Sequence, residues 1–271
     1  MTTVNPEIVD TSQAVVKLVD QLISSHETRD DTLDRPIIHI SLEGVSLGRS
    51  GTTSIITLLL HESPSSQHTY LVDVRTLGAQ AFTTAGADGK TLKQILENSD
   101  IPKVFFDVRN ASAALFALYN IALEEVQDVQ LMDSAARKTT AKRISFHRSE
   151  TLRRDRHAGE ILFRAEFGGS PEVFNQRPLP DDIVKYCVGE VACLPVLRNM
   201  LWRTRTQKWR DFVRDETERR VAYTHAAGYQ SGGTDRVLAP WNDEQNKVLN
   251  RFAARDFDDW LEDDEVEEVV E

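Results

Sequence analysis

Apolar residues near the start of the chain recur at helical spacing: Val9, Val15, Val16, Leu18, Val19, Leu22 and Ile23. Pro6 suits the first turn of such a helix, and the polar stretch His26 to Asp34 reads as a connection. The period then changes. Pro36 to Glu43 has the pattern of a buried strand, Gly48 to Gly51 a turn, Ser54 to His61 a second strand and Thr69 to Val74 a third. Thr91 to Asn98 has the composition of a short helix, Lys103 to Val108 of a fourth strand, and Ala111 to Ile121 of an Ala- and Leu-rich helix. Val126 to Leu131 reads as a fifth strand, with helix from Met132. After an irregular segment, Ile144 to Pro180, helical periodicity returns at Asp181 to Met200, with Asp181 or Asp182 as N-cap. A charged helix follows from Trp202 to Ala226, then a loop from Gly228 to Pro240 and a last helix from Asn242 to Ala254. Three strands followed by alternating helices and strands predict an α/β domain with a mixed sheet.

Charge changes this picture once it is divided along the chain. The net charge of the 271 residues is −11, but Asp256 to Glu271 holds ten acidic residues and no basic one. Without them, 33 acidic residues face 32 basic ones. The body is nearly neutral, and the tail is expected to be disordered by self-repulsion. Within the body, Arg137 to His157 carries eight Lys or Arg against two acids, and Arg198 to Arg220 carries eight against four. Such stretches suit phosphate contacts or a solvated, salt-bridged surface. No apolar run approaches the roughly 20 residues of a membrane helix, so no membrane partner is expected. The first residues have neither the basic nor the apolar region of a secretory signal, and Cys187 and Cys193 would face different sides of one helix. The expectation is an intracellular protein, cytoplasmic or nuclear.

Several chemistries drop out. Gly44 to Thr53 has no Walker lysine and no following helix, so it reads as a hairpin turn. The seven histidines form no HExxH pair, two cysteines cannot build a zinc finger, and no nucleophile elbow is present. His39, inside the first strand, reads as a core residue.

Three ordered segments fit together. Ile38-His-Ile-Ser41-Leu-Glu43 with the glycine turn behind it, Lys103-Val-Phe-Phe-Asp107-Val-Arg109-Asn-Ala111-Ser-Ala-Ala-Leu115, and Tyr186-Cys-Val-Gly-Glu190 preceded by Val173 to Asp181 resemble the three motifs of DEDD-type 3′–5′ exonucleases of the RNase D-like group. The likeness covers about residues 35–240 and is greatest to fungal exonuclease-domain proteins and the Egalitarian-type branch. It implies an RNase H-like α/β fold, a five-stranded mixed sheet flanked by helices. The implied organisation is a helical leader (1–34), an exonuclease-like domain (35–240), a C-terminal helix (241–255) and an acidic disordered tail (256–271). In such enzymes two Mg²⁺ or Mn²⁺ ions activate water and stabilise the leaving oxygen, and hard ions take carboxylate oxygens.

The resemblance places the metal ligands at Ser41, Glu43, Ala111 and Glu190, with Tyr186 orienting water. Glu43 alone matches the pattern; a hydroxyl and a methyl stand at Ser41 and Ala111, and Glu190 is one methylene longer than the expected Asp. Asp107 is a weak further metal candidate. The reading is a decayed metal site with Tyr186 vestigial, and a pseudo-exonuclease that binds single-stranded RNA or DNA, RNA before DNA, or a protein partner or second copy. Arg49, Arg109, Arg143, Arg148, Arg153, Arg154 and Lys208 are the candidate nucleic-acid contacts. That reading requires no cofactor. The alternatives are an active exonuclease with an atypical Mg²⁺ or Mn²⁺ site using Glu43, Glu190 and Asp107, and a pure protein-interaction scaffold.

Overall fold

The longest apolar run, Ile55 to Leu60, is buried at every position, which requires a strand covered on both faces. It lies inside one mixed sheet of the computed structural model, which describes residues 6–29, 31, 34–63, 65–143, 157–232 and 238–263. Six strands build that sheet: β1 (Glu7–Val9), β2 (Ile38–Glu43), β3 (Ile55–Ser63), β4 (Ser66–Val72), β5 (Lys103–Phe105) and β6 (Val126–Asp128), in the order β1-β4-β3-β2-β5-β6. β2, β3 and β4 are antiparallel neighbours, whereas β5 and β6 extend the sheet parallel to β2.

The sheet therefore has six strands where five were expected. The additional one is β1, which pairs parallel with β4 through Glu7↔Tyr70, Ile8↔Leu71 and Val9↔Val72. Three residues with only Val9 buried carry no alternating signal, and Pro6 sits just before this edge strand, where a missing N–H costs least. The expected leader thus contributes a strand as well as a helix. Helix α1 (Ser12–Glu27) starts later than the apolar spacing suggests, capped by the Thr11 side chain on the Ala14 N–H, and buries Val15, Leu18, Val19 and Leu22.

Alternation then assigns the two faces. Ile38, Ile40 and Leu42 of β2 and Ile56, Leu58 and Leu60 of β3 share one core with α1. The same core takes residues from α2 (Val74–Leu77), α3 (Gln80–Thr83), α4 (Leu92–Leu96) and α5 (Arg109–Tyr119). The other face, with Ile55 and Leu59, is covered by α9 (Asp181–Ala192) and α10 (Leu194–Trp202). Between these lie α6 (Val129–Ala136), α7 (Thr140–Arg143) and α8 (His157–Phe163). α11 (Gln207–His225) and α12 (Asp243–Asp263) follow. Trp202, Trp209 and Trp241 join Leu131, Met132 and Leu249 in a separate helical core, so the C-terminal helix packs onto the domain.

Local differences have local causes. The expected helix from Asp181 to Met200 breaks at Cys193 because Pro195 occupies the first turn of α10. The N-cap of α9 is Pro180, and Asp181 and Asp182 sit in its first turn, where carboxylates favour the positive end of the helix dipole. The fifth predicted strand ends at Asp128, whose side chain caps α6 by accepting from the Gln130 N–H. Helical backbone in α12 reaches Asp263, past the start of the expected tail, and residues 264–271 lie outside those described. Both cysteines are free. Among the described residues no helix is long and apolar enough to cross a membrane.

Lys103 on β5 is fully buried, its Nζ donating to the Asn98 carbonyl at 2.7 Å. Burial pushes its pKa down to about 7, against the opposing pull of Glu125 and Glu124. The unfolded chain, with an ordinary lysine near 10.4, binds a proton the native state lacks between these values, so this group makes stability rise with pH from about 7 to 10. Lys103→Met removes that slope. Urea unfolding at pH 6 and pH 10 is expected to show the stability of Lys103→Met relative to wild type falling by roughly 3–5 kcal/mol between the two pH values.

Candidate functional site

On β2, the apolar residues point to one core and His39, Ser41 and Glu43 to the other face, beneath α9 and α10. Ser41 Oγ lies 3.4 Å from Glu43 Oε1 and donates to it, and Ser41 pairs with the buried Thr57 of β3. Cys187 of α9 sits over this face. Its thiol is held well above its ordinary pKa, first by burial and then by the Glu43 carboxylate, with Glu190 adding to the effect and a hydrogen bond with Thr57 opposing it. Glu43 and Glu190 thus flank one protonated thiol. Helix α9 packs on β2 here, and both carboxylates act on the same thiol.

The segment before α9 is anchored to place it there. Arg177 grips Asp73 through two hydrogen bonds of 2.5 Å, and Ser54 Oγ donates to Asn175 Oδ1 at 2.7 Å. Despite burial, the Arg177 and Thr76 hydrogen bonds pull the Asp73 carboxyl below its usual value. Tyr186, one turn before Glu190, is 9% exposed and packs among Phe163 and Phe174, with ring centroids 5.0 and 6.3 Å away. Gly159 of α8 is needed at this contact, because a Cβ there would come within 2.4 Å of the Tyr186 Cβ.

Ala111 lies in the first turn of α5, 6% exposed, with its methyl in the core shared with Leu115 and Val221. Its neighbour Ser112 hydrogen-bonds Thr224 Oγ1 at 2.7 Å, which binds the start of α5 to the end of α11. Arg49, in the β2–β3 turn, donates to the Thr224 and His225 carbonyls at 3.2 Å. It therefore caps α11 and is not a free nucleic-acid contact.

Asp107 does not join the carboxylates. It adopts a positive φ of 61° at the end of β5 and receives Arg109 Nε and Nη2 at 2.6 and 2.7 Å. Burial works against the Arg109 charge, but the Asp107 hydrogen bonds and charge outweigh it and raise the pKa. Both residues are thus corrected: Asp107 is neutralised by Arg109, and by Arg220 at 3.6 Å, and Arg109 is engaged internally. Arg143 is likewise corrected, since it is 1% exposed and donates to Asn246, Asn250 and the Arg137 carbonyl. Lys208 is exposed on α11, and Arg148, Arg153 and Arg154 lie outside the described residues.

The residues present do not fit a pair of divalent cations. Two such ions repel each other and require several carboxylates around them. Here Glu43 is accompanied by the Ser41 hydroxyl and the protonated Cys187 thiol, the Ala111 methyl is part of the apolar core, and among the described residues no three His, Cys, Asp or Glu side chains form a metal-holding group.

One residue escaped the sequence reading. Asp128 is completely buried and accepts from the backbone N–H groups of Asp107, Val108 and Gln130 at 3.0, 3.2 and 3.0 Å, and from Arg220 at 2.8 Å. It joins the β5–α5 turn, the start of α6 and the middle of α11. Its signal was an Asp immediately before a helical apolar spacing, the signature of a cap.

The order of strands and the helices over β2 and β3 are those of an RNase H-like α/β fold. The structure of Trypanosoma brucei RNase D with GMP aligns with a TM-score of 0.66 and 20% identity, covering 92% of this chain and 72% of that one. The same enzyme with RNA U12 gives 0.66 and 19%, covering 90% and 78%. Escherichia coli RNase D, an exoribonuclease involved in structured RNA processing, gives 0.54 and 17%, covering 83% and 52%. In sequence, the chain is 29% identical over 175 residues to the piRNA biogenesis protein EXD1 of Mus musculus, over 61% of this chain and 29% of that protein. The match spans less than a third of that relative. The sequence matches no family model. The chain shares the fold of these RNase D structures.

Arg220→Met leaves the Asp128 carboxylate buried without its ion partner. Breaking such a pair costs about 3–5 kcal/mol. Chemical denaturation is expected to show a loss of this size for Arg220→Met, while Arg219→Met, whose side chain is 64% exposed, stays within about 0.5 kcal/mol of wild type.

Proposed function

We propose that this chain is a non-hydrolytic member of the exonuclease-like fold that binds single-stranded nucleic acid, RNA before DNA, in the cleft beside Glu43 and Glu190. The observation that carries the reading is the pair Ser41 and Ala111: two positions where the resemblance expects charge hold a neutral hydroxyl and a methyl buried in the core. Each lost ligand removes transition-state charge stabilisation of several kcal/mol, and about 1.4 kcal/mol is tenfold in rate. Two losses in one site need not add, but either is severe. Support for RNA comes from the similarity to a structure of RNase D in complex with RNA U12. A second reading, a protein-interaction scaffold, is favoured by one fact: Arg49, Arg109 and Arg143 are all spent on internal partners.

End-labelled single-stranded RNA and DNA, incubated with Mg²⁺ or Mn²⁺, are expected to stay intact with wild type and with Ser41→Asp. Ser41→Asp combined with Ala111→Asp and Glu190→Asp is expected to gain digestion from the 3′ end. Wild-type digestion that Glu43→Gln abolishes would contradict the proposal. In parallel, oligonucleotide affinity is expected to fall with salt as phosphate contacts release counterions, each adding about −0.7 to the slope of log K against log salt. Absence of binding at low salt would leave the scaffold reading in place.

A further inference from the structure

The polar face of β2 has a second end. His39 lies four residues from Glu43, about 13 Å along the strand, and borders a cavity of about 820 Å³ between β2, the α1–β2 connection, α10 and α11. Five arginines line it: Arg29, Arg35, Arg198, Arg203 and Arg210. Three carboxylates, Asp31, Asp34 and Glu62, line it too. Asp31 pairs with Arg29 at 2.7 Å and with Arg35 at 3.6 Å, and Asp34 pairs with Arg210 at 3.3 Å.

Arg198 is the anomaly. It is 1% exposed, yet its partners are neutral: Gln127 Oε1 at 2.8 Å, the Asp34 backbone carbonyl and Asn199 Oδ1 at 3.5 Å. Among the described residues no carboxylate forms an ion pair with it, and its Nη2 has no hydrogen-bond partner. A buried charge is normally paired, because desolvation costs several kcal/mol. Here a second cation is added instead. The Arg198 and Arg210 guanidiniums lie 4.8 and 5.3 Å from the centre of the same Trp202 ring. Burial first, and then the Arg210 charge, lower the Arg198 pKa to about 9, with Asp34 only partly opposing. Arg210 Nε and Trp202 Nε1 are also buried without partners. Arg198, Arg210 and Trp202 all border the same cavity, and Arg210, with its side chain 19% exposed, is the one of the three that a ligand there meets first.

We infer that this cavity is an anion site for a phosphate monoester, held by Arg198 and Arg210 beside Trp202, separate from the cleft at the other end of β2. Guanidinium forks match phosphate oxygens and offer several donors at once. The volume admits a body of nucleotide size. An anion in this pocket relieves the repulsion between the two arginines, and a turn of either side chain toward it gives the unpartnered donors an acceptor. Trp202, 3% exposed and covered by the arginines, is not offered as a stacking platform.

Calorimetric titration of the full chain with inorganic phosphate and with AMP tests this. Both are expected to bind one site, and Arg210→Gln is expected to weaken binding about tenfold or more, the cost of losing a charged hydrogen-bond donor. Arg198→Gln is expected to weaken it at least as much, and Arg210, less buried, keeps the test valid if that variant does not fold. Lys185→Gln, which removes an exposed positive charge on α9, is expected to leave affinity unchanged. Tighter binding of AMP than phosphate points to a free nucleotide. An Arg210-dependent preference for a 5′-phosphorylated oligonucleotide over its 5′-hydroxyl form points to a nucleic-acid end. No binding of phosphate or AMP, or an equal loss in Lys185→Gln and Arg210→Gln, would overturn the proposal.

Discussion

The arrangement depends on the alternation of side chains along β2. Ile38, Ile40 and Leu42 are buried in the main core, and that burial fixes the strand's register against β3 and β5. A one-residue slip would turn three apolar side chains away from their core, at about 1.5–3 kcal/mol each. With the register fixed, His39, Ser41 and Glu43 have only one direction left, toward α9 and α10. Glu43 stands at one end of that row and His39, on the arginine cavity, at the other. Their separation follows from strand geometry.

A second constraint holds the start of α5. Asp128, itself fully buried, gathers two backbone donors from the β5–α5 turn, one from α6 and the Arg220 guanidinium. This sets the start of α5, where Ala111 lies, and ties it to α11. The cost of burying these charges is met by complete hydrogen bonding, so removal of one partner is felt by three elements at once. Charge has been retained where it holds the scaffold and is absent at Ser41 and Ala111.

Much of this was legible in the sequence. The order of strands and helices followed from apolar spacing, the shared direction of Ser41 and Glu43 from the two-residue period, and the proximity of Tyr186 to Glu190 from one helical turn. What was not legible has physical reasons. β1 is three residues long with only Val9 buried, so it has no period to detect. The arginines misled because a linear chain shows charge but not partners: Arg143 meets residues 103 and 107 positions away. The α11 stretch looks solvated in sequence, yet Trp209, Val213, Thr217, Arg220, Val221 and Thr224 form a buried helical face. Tertiary pairing, which local pattern cannot report, turned one face of this charged helix into scaffold.

The central claim is that the cleft between Glu43 and Glu190 has lost its capacity for a metal pair while the fold that surrounds it remains. Anomalous diffraction from crystals soaked with Mn²⁺ and a short single-stranded oligonucleotide tests it directly. The account predicts an intact oligonucleotide with no manganese pair beside Glu43 and Glu190. Two anomalous peaks about 4 Å apart at those carboxylates, the spacing of a two-metal site, would contradict it.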